Sequence, residues 1–231
     1  MKKLFPVIHY NTDDLAIENA KIAHEEGANG IFLIEMSGDD RLCDRVALFI
    51  KETYPNWFVG CNRLCGNIAD HIITDAANGL DGIWIDNPGV YSSHADKQIV
   101  DEINAALQNV WQDGKKFDFF GSVAFKTHYK EDPNPGLAAK KAAALGWIPT
   151  TSGSATGIAA STKKIIQIQN ALRDIPFAMA SGTTVANIDN YIDHVDYFLV
   201  ATGISKSFYE FDPKLVRQMS QKVKKFNELA V

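Results

Sequence analysis

Glu35, Asp86 and Lys126 each close a short apolar run, at Gly30–Glu35, Gly82–Asp86 and Phe117–Lys126. A carboxylate and an ammonium brought to one place can move a proton beside a carbonyl and hold the charge that develops. Lys126 suits an anionic substrate, a Schiff base or charge stabilisation. Its alternative is a structural ion pair with Glu35 or Asp86. Glu35 in partly apolar surroundings would have a raised pKa and act as acid or base, and its alternative is a hydrogen-bonded strut.

Other polar residues fall at comparable positions. His9 and Asn62 end two further runs, Thr151 ends a third, and His128 lies just beyond Lys126. These are candidate substrate-binding groups. The histidines are also candidate metal ligands or proton shuttles, but their spacing matches no compact metal motif. No metal site is assigned, although a divalent metal stays open. Ser181-Gly182-Thr183 and Thr202-Gly203 follow two consecutive apolar runs near the C-terminal end. Small residues there leave backbone N–H groups uncovered, as a phosphate cradle requires.

The elements that must position these groups alternate throughout. Strands are expected at Leu4–His9, Gly30–Glu35, Trp57–Asn62, Gly82–Asp86, Phe117–Lys126, Ile148–Thr151, Phe177–Ser181 and Tyr197–Thr202, with helix-like spacing between them, including Val185–Val195. Ser122, Ala124 and Lys126 share one face of the fifth strand; Phe119, Val123 and Phe125 share the other and suit the helix side. Gly27, Gly79 and Gly146 sit where helices should end. Gly27-Ala28-Asn29-Gly30-Ile31-Phe32 is echoed by Gly79-Leu80-Asp81-Gly82-Ile83-Trp84, and Val195-Asp196-Tyr197-Phe198 repeats part of the unit. Eight such units imply a single (β/α)8 TIM barrel over residues 1–231, an α/β fold whose active sites lie at the C-terminal strand ends. An open doubly wound sheet would want a glycine-rich turn after the first strand, where His9-Tyr10-Asn11-Thr12 has none.

Composition narrows the function classes. The chain has 46% hydrophobic and 22% charged residues and a formal net charge of -5. That balance suits a globular core and argues against a nucleic-acid partner. No run reaches membrane-spanning length. Cys43, Cys61 and Cys65 lack paired CxxC spacing and read as reduced thiols, which points to the cytoplasm.

The chain resembles the BtpA/SgcQ family of phosphate-binding barrels. The likeness lies in His9, Gly60-Cys61-Asn62-Arg63-Leu64, Phe125-Lys126-Thr127-His128, Thr156-Gly157, Ala180-Ser181-Gly182 with Asn187, Val200-Ala201-Thr202, Asp212 and Val216. It departs from the family at Met36, at Cys65-Gly66 and where Thr127 separates Lys126 from His128. The resemblance implies a phosphate-binding barrel and leaves the chemistry open.

The resulting expectation is a cytoplasmic enzyme acting on a small phosphorylated metabolite, a sugar phosphate or phosphoribosyl compound. Lys126, Glu35 and Asp86 would be catalytic. His9, Asn62, His128, Thr151, Ser181, Gly182, Thr183, Thr202 and Gly203 would bind substrate. The reaction would be proton transfer next to a carbonyl, of isomerase, epimerase or lyase type, with no organic cofactor. Homo-oligomers stay open, and the alternative is a non-catalytic assembly or regulatory barrel.

Overall fold

The structure, a computed structural model, describes residues 1–126 and 132–229. Eight parallel strands pair in chain order and close on themselves: β1 (Lys3–His9), β2 (Gly30–Ile34), β3 (Phe58–Arg63), β4 (Gly82–Ile85), β5 (Asp118–Ser122), β6 (Ile148–Thr151), β7 (Ala178–Ala180) and β8 (Tyr197–Val200). Around them pack α1 (Asp13–Glu25), α2 (Asp44–Thr53), α3 (Ile68–Ala77), α4 (Lys97–Gln112), α5 (Pro135–Ala144), α6 (Thr162–Leu172) and α7 (Pro213–Leu229). The expected barrel is therefore the observed one. Among the described residues, no helix is long and apolar enough to cross a membrane.

Local chemistry explains the element ends. Thr12, Asn67, Asp96, Asn134 and Ser161 each accept a hydrogen bond from the amide three residues on, satisfying a donor the helix cannot. Gly27, Gly79 and Gly146 take φ near +80° at the helix ends, at 85°, 79° and 81°. The repeated unit before the strands has a further role. Asn29 accepts from Leu4 N, Asp81 from Val59 N and Asp196 from Phe177 N. Each side chain thus ties the turn that leads into one strand to the start of another strand at the closed end of the barrel.

Two expectations need correction. The segment from Val185 to Val195 holds only a short 3₁₀ turn at Ile188–Asn190. Asn187 competes with helix formation: its Oδ1 accepts from Thr184 N and its Nδ2 donates to Gly182 O. The fifth strand stops at Ser122, because Ala124 and Lys126 adopt left-handed φ values of 47° and 44°. Alternation ends there, and Phe125 turns into the barrel interior instead of facing the helices.

Candidate active site

The barrel interior is graded from apolar to polar. At the closed end Phe5 stacks on Phe58 with ring centroids 4.6 Å apart, and both meet Phe120 edge-on. Gly60 and Gly82 make room for these rings: a Cβ at Gly60 would lie 2.6 Å from the Phe32 ring, and one at Gly82 3.0 Å from Phe58. Towards the open end the lining becomes polar. Trp84 Nε1 donates to Ser122 Oγ at 2.9 Å, Phe125 packs edge-on against Trp84, and Thr150 is fully buried. This aromatic floor gives the groups above it a rigid, water-poor base.

Four candidate residues converge on this floor. Asn62, 2% exposed, donates from Nδ2 to Trp84 O at 2.9 Å and to Asp86 Oδ1 at 3.3 Å. Its Oδ1 is buried and accepts no hydrogen bond among the described residues. Lys126 Nζ lies 3.5 Å from Asp86 Oδ2 and 4.9 Å from the centroid of the Phe125 ring. Lys126 N donates to Ser152 Oγ, which fixes its unusual backbone turn. Of the two carboxylates the sequence offered as ion-pair partners of Lys126, Glu35 and Asp86, the structure pairs it with Asp86.

His9 is 8% exposed and stacks on Phe208, with ring centroids 4.1 Å apart and planes 10° apart. Its Nδ1 is 2.9 Å from Phe208 O. A carbonyl oxygen only accepts, so Nδ1 carries the proton and Nε2 keeps its lone pair. Burial lowers the His9 pKa; the Phe208 bond opposes that shift and the Lys126 charge adds to it. A neutral imidazole beside an ammonium results. Phe208 sits on a strap after β8 that Asn19 of α1 anchors, donating to Tyr209 O and accepting from Phe211 N.

Glu35 does not join this group. Its carboxylate accepts from Ser37 N at 2.6 Å, Gly38 N at 3.0 Å and Asp39 N at 3.1 Å. Burial pushes its pKa up, but these bonds outweigh it and leave the carboxyl below its ordinary value. The expected raised pKa is thus corrected. Its charge acts on the buried Cys43 thiol, which burial and neighbouring carboxylates push up to about 12. Next to it, Arg63, which the sequence did not single out, binds Asp75 and Asp44 and donates to Asp40 O. Asp40 Oδ2 in turn accepts from Leu64 N and Cys65 N.

Thr151 also differs from expectation. Its hydroxyl is buried and donates to Ala124 O, tying β6 to the turn after β5, while Thr150 pairs across from Ser122. Ser122 lies on the face expected to line the barrel, whereas Thr150 and Trp84 were not assigned to the site, because inward register is not visible in a four-residue run. His128 lies outside the described residues.

Ser181 and Gly182, both at φ 69°, turn the chain sharply after β7. The amides of Gly182 and Thr183 donate to nothing among the described residues, and the buried Thr183 Oγ1 has no partner there. Glycine is required here for contact with backbone. A Cβ on Gly182 would lie 2.0 Å from Ala159 N, and one on Gly203 1.9 Å from Thr183 O. Gly203 and the exposed Thr202 begin a 3₁₀ turn. Among the described residues no three His, Cys, Asp or Glu side chains come together in a way that could hold a metal ion.

No protein-family model matches the sequence, and no curated protein matches it. Solved structures do match in shape. Phosphoribosyl anthranilate isomerase from Thermus thermophilus aligns with a TM-score of 0.68 at 10% identity, over 98% of this chain and 100% of that one. Thiamine phosphate pyrophosphorylase from Pyrococcus furiosus aligns at 0.65 and 12%, over 96% of each chain. A native KDPGal structure aligns at 0.68 and 13%, over 98% of this chain and 95% of that one. At these identities the likeness is one of fold, the closed (β/α)8 barrel.

Proposed function

We propose that this barrel is a cytoplasmic enzyme that transfers a proton next to the carbonyl of a small phosphorylated metabolite, a sugar phosphate or phosphoribosyl compound. The observation that carries the reading is the Lys126–Asp86 pair set against Asn62 and beside a neutral His9 on the aromatic floor. The names of two solved neighbours, a phosphoribosyl anthranilate isomerase and a thiamine phosphate pyrophosphorylase, support the phosphorylated class. So does the resemblance to a phosphate-binding family. The phosphate would rest on the amides of Gly182 and Thr183 and on Thr183 Oγ1, which lack partners among the described residues. The Thr202–Gly203 turn would close that seat.

In this reading His9 Nε2 takes the proton from the carbon next to the carbonyl, becoming an imidazolium that Phe208 O still holds at Nδ1. The ammonium of Lys126 stabilises the oxygen that gains negative charge, and Asp86 keeps Lys126 aimed. Asn62 Oδ1 accepts a substrate hydroxyl. Returning the proton to the same or the neighbouring carbon completes an epimerisation or isomerisation. Glu35 holds its loop.

The test is solvent-deuterium exchange into phosphorylated ketoses and phosphoribosyl compounds, followed by NMR. His9→Gln and Lys126→Met should each lower exchange by about 10²–10⁴-fold while melting temperatures hold. A base at His9 places the acidic limb of kcat/KM below pH 6.5, the ordinary histidine value. A phosphorylated ligand that stabilises the fold yet exchanges no proton would favour the non-catalytic alternative.

A further inference from the structure

A cavity of about 910 Å³ is lined by Ala124 and Lys126 after β5 and by residues from Ser152 to Gln167 after β6. Its lining includes Lys126, Lys163 and Lys164, with the serines Ser152, Ser154 and Ser161. Among its described lining residues Asp132 is the one acid, and that carboxylate is already engaged by Ser92 N at 2.8 Å and Asn134 N at 3.0 Å. Lys164 Nζ donates to Ser152 O at 2.7 Å and to Ala124 O, which pins its ammonium at the cavity wall. Lys163 makes no ion pair or hydrogen bond among the described residues through its ammonium. It stands in the first turn of α6, where the helix dipole disfavours a cation unless an anion is at hand. The volume exceeds what a lone phosphate needs.

We infer that the substrate carries a second acidic group, a carboxylate or a second phosphate, and that this cavity seats it. The inference rests on the proposed function, since it places the first phosphate on Gly182 and Thr183. Lys126 joins the two regions: it lines the cavity and also pairs with Asp86 at the barrel mouth. A molecule whose carbonyl reaches Lys126 can therefore extend one end towards Thr183 and the other towards Lys163.

Calorimetric titration with ribulose 5-phosphate and ribulose 1,5-bisphosphate tests this, because the two differ by one phosphate. The bisphosphate should bind the native protein roughly tenfold more tightly, as one charge-assisted contact allows. Lys163→Glu, at an exposed position where folding is insensitive, should erase that advantage and leave the monophosphate unchanged. No advantage in the native protein overturns the inference. An advantage that survives Lys163→Glu, or an equal loss for both ligands, overturns it as well. Thr183→Val reports on the first phosphate alone: unchanged monophosphate binding in that variant removes the Thr183 seat, whatever Lys163→Glu does.

Discussion

The two halves of the barrel rim handle charge in opposite ways. After β2 and β3 the charged groups are spent on the protein: Glu35 holds three amides, and Arg63 holds Asp75 and Asp44. After β5 to β8 the rim keeps donors available, with Lys163 and the amides of Gly182 and Thr183 uncommitted among the described residues. A satisfied network fixes shape. An unsatisfied one, held rigid by its surroundings, binds something else. The closed half therefore reads as scaffold, and the open half is where the proposed ligand would sit.

Substitutions can break this contrast, and the largest effect belongs to the closed half. Arg63→Met strands the Asp75 carboxylate, which is 1% exposed. It should destabilise by about 3–5 kcal/mol in chemical denaturation, since breaking a buried pair leaves one charge uncompensated. A loss below about 1 kcal/mol would show that water already reaches the pair. Glu35→Gln comes next, at about 1–3 kcal/mol, because an amide nitrogen cannot accept from a backbone N–H. The pH dependence has a definite sign. The folded carboxyl sits below its ordinary value, so its stabilisation is present above the unfolded pKa and lost as pH falls through the folded one. Glu35→Gln should flatten that acid limb of the stability profile, whereas deuterium exchange per folded molecule should stay near normal.

The smallest effect belongs to the open half, and it has the opposite sign. Ala124 takes φ 47°, a conformation that a side chain disfavours. Ala124→Gly should stabilise the fold by about 1 kcal/mol, measured by thermal or chemical unfolding. If it destabilises instead, the turn is held by the alanine methyl packing and the strain argument fails.

Much of the barrel was legible because its signals are local. Alternating apolar runs, capping residues and the glycines at 27, 79 and 146 act within a few positions. Asp86 was legible for the same reason, since it directly follows the β4 run, whereas Lys126 meets it from a turn that begins four residues earlier, where β5 stops at Ser122. What stayed hidden depends on partners far along the chain. Glu35 looks like an acid until the amides of its own loop are placed around it. Arg63 gains its role only when Asp44 and Asp75 close on it from two helices. Phe125 read as helix-facing because simple alternation was continued through two residues whose backbone leaves the strand.

The strap that carries Phe208 has a consequence for the order of folding. Asn19 meets Tyr209 and Phe211 across 190 and 192 residues of chain, so their hydrogen bonds wait until the last strand has closed against the first. The Phe208 carbonyl that fixes the His9 proton waits with them. A fragment that holds β1 to β4 would present an ordinary histidine, free to exchange tautomers and to protonate near pH 6.5. The neutral form of His9 with its proton held on Nδ1 is thus a property of the finished circle of strands, acquired last.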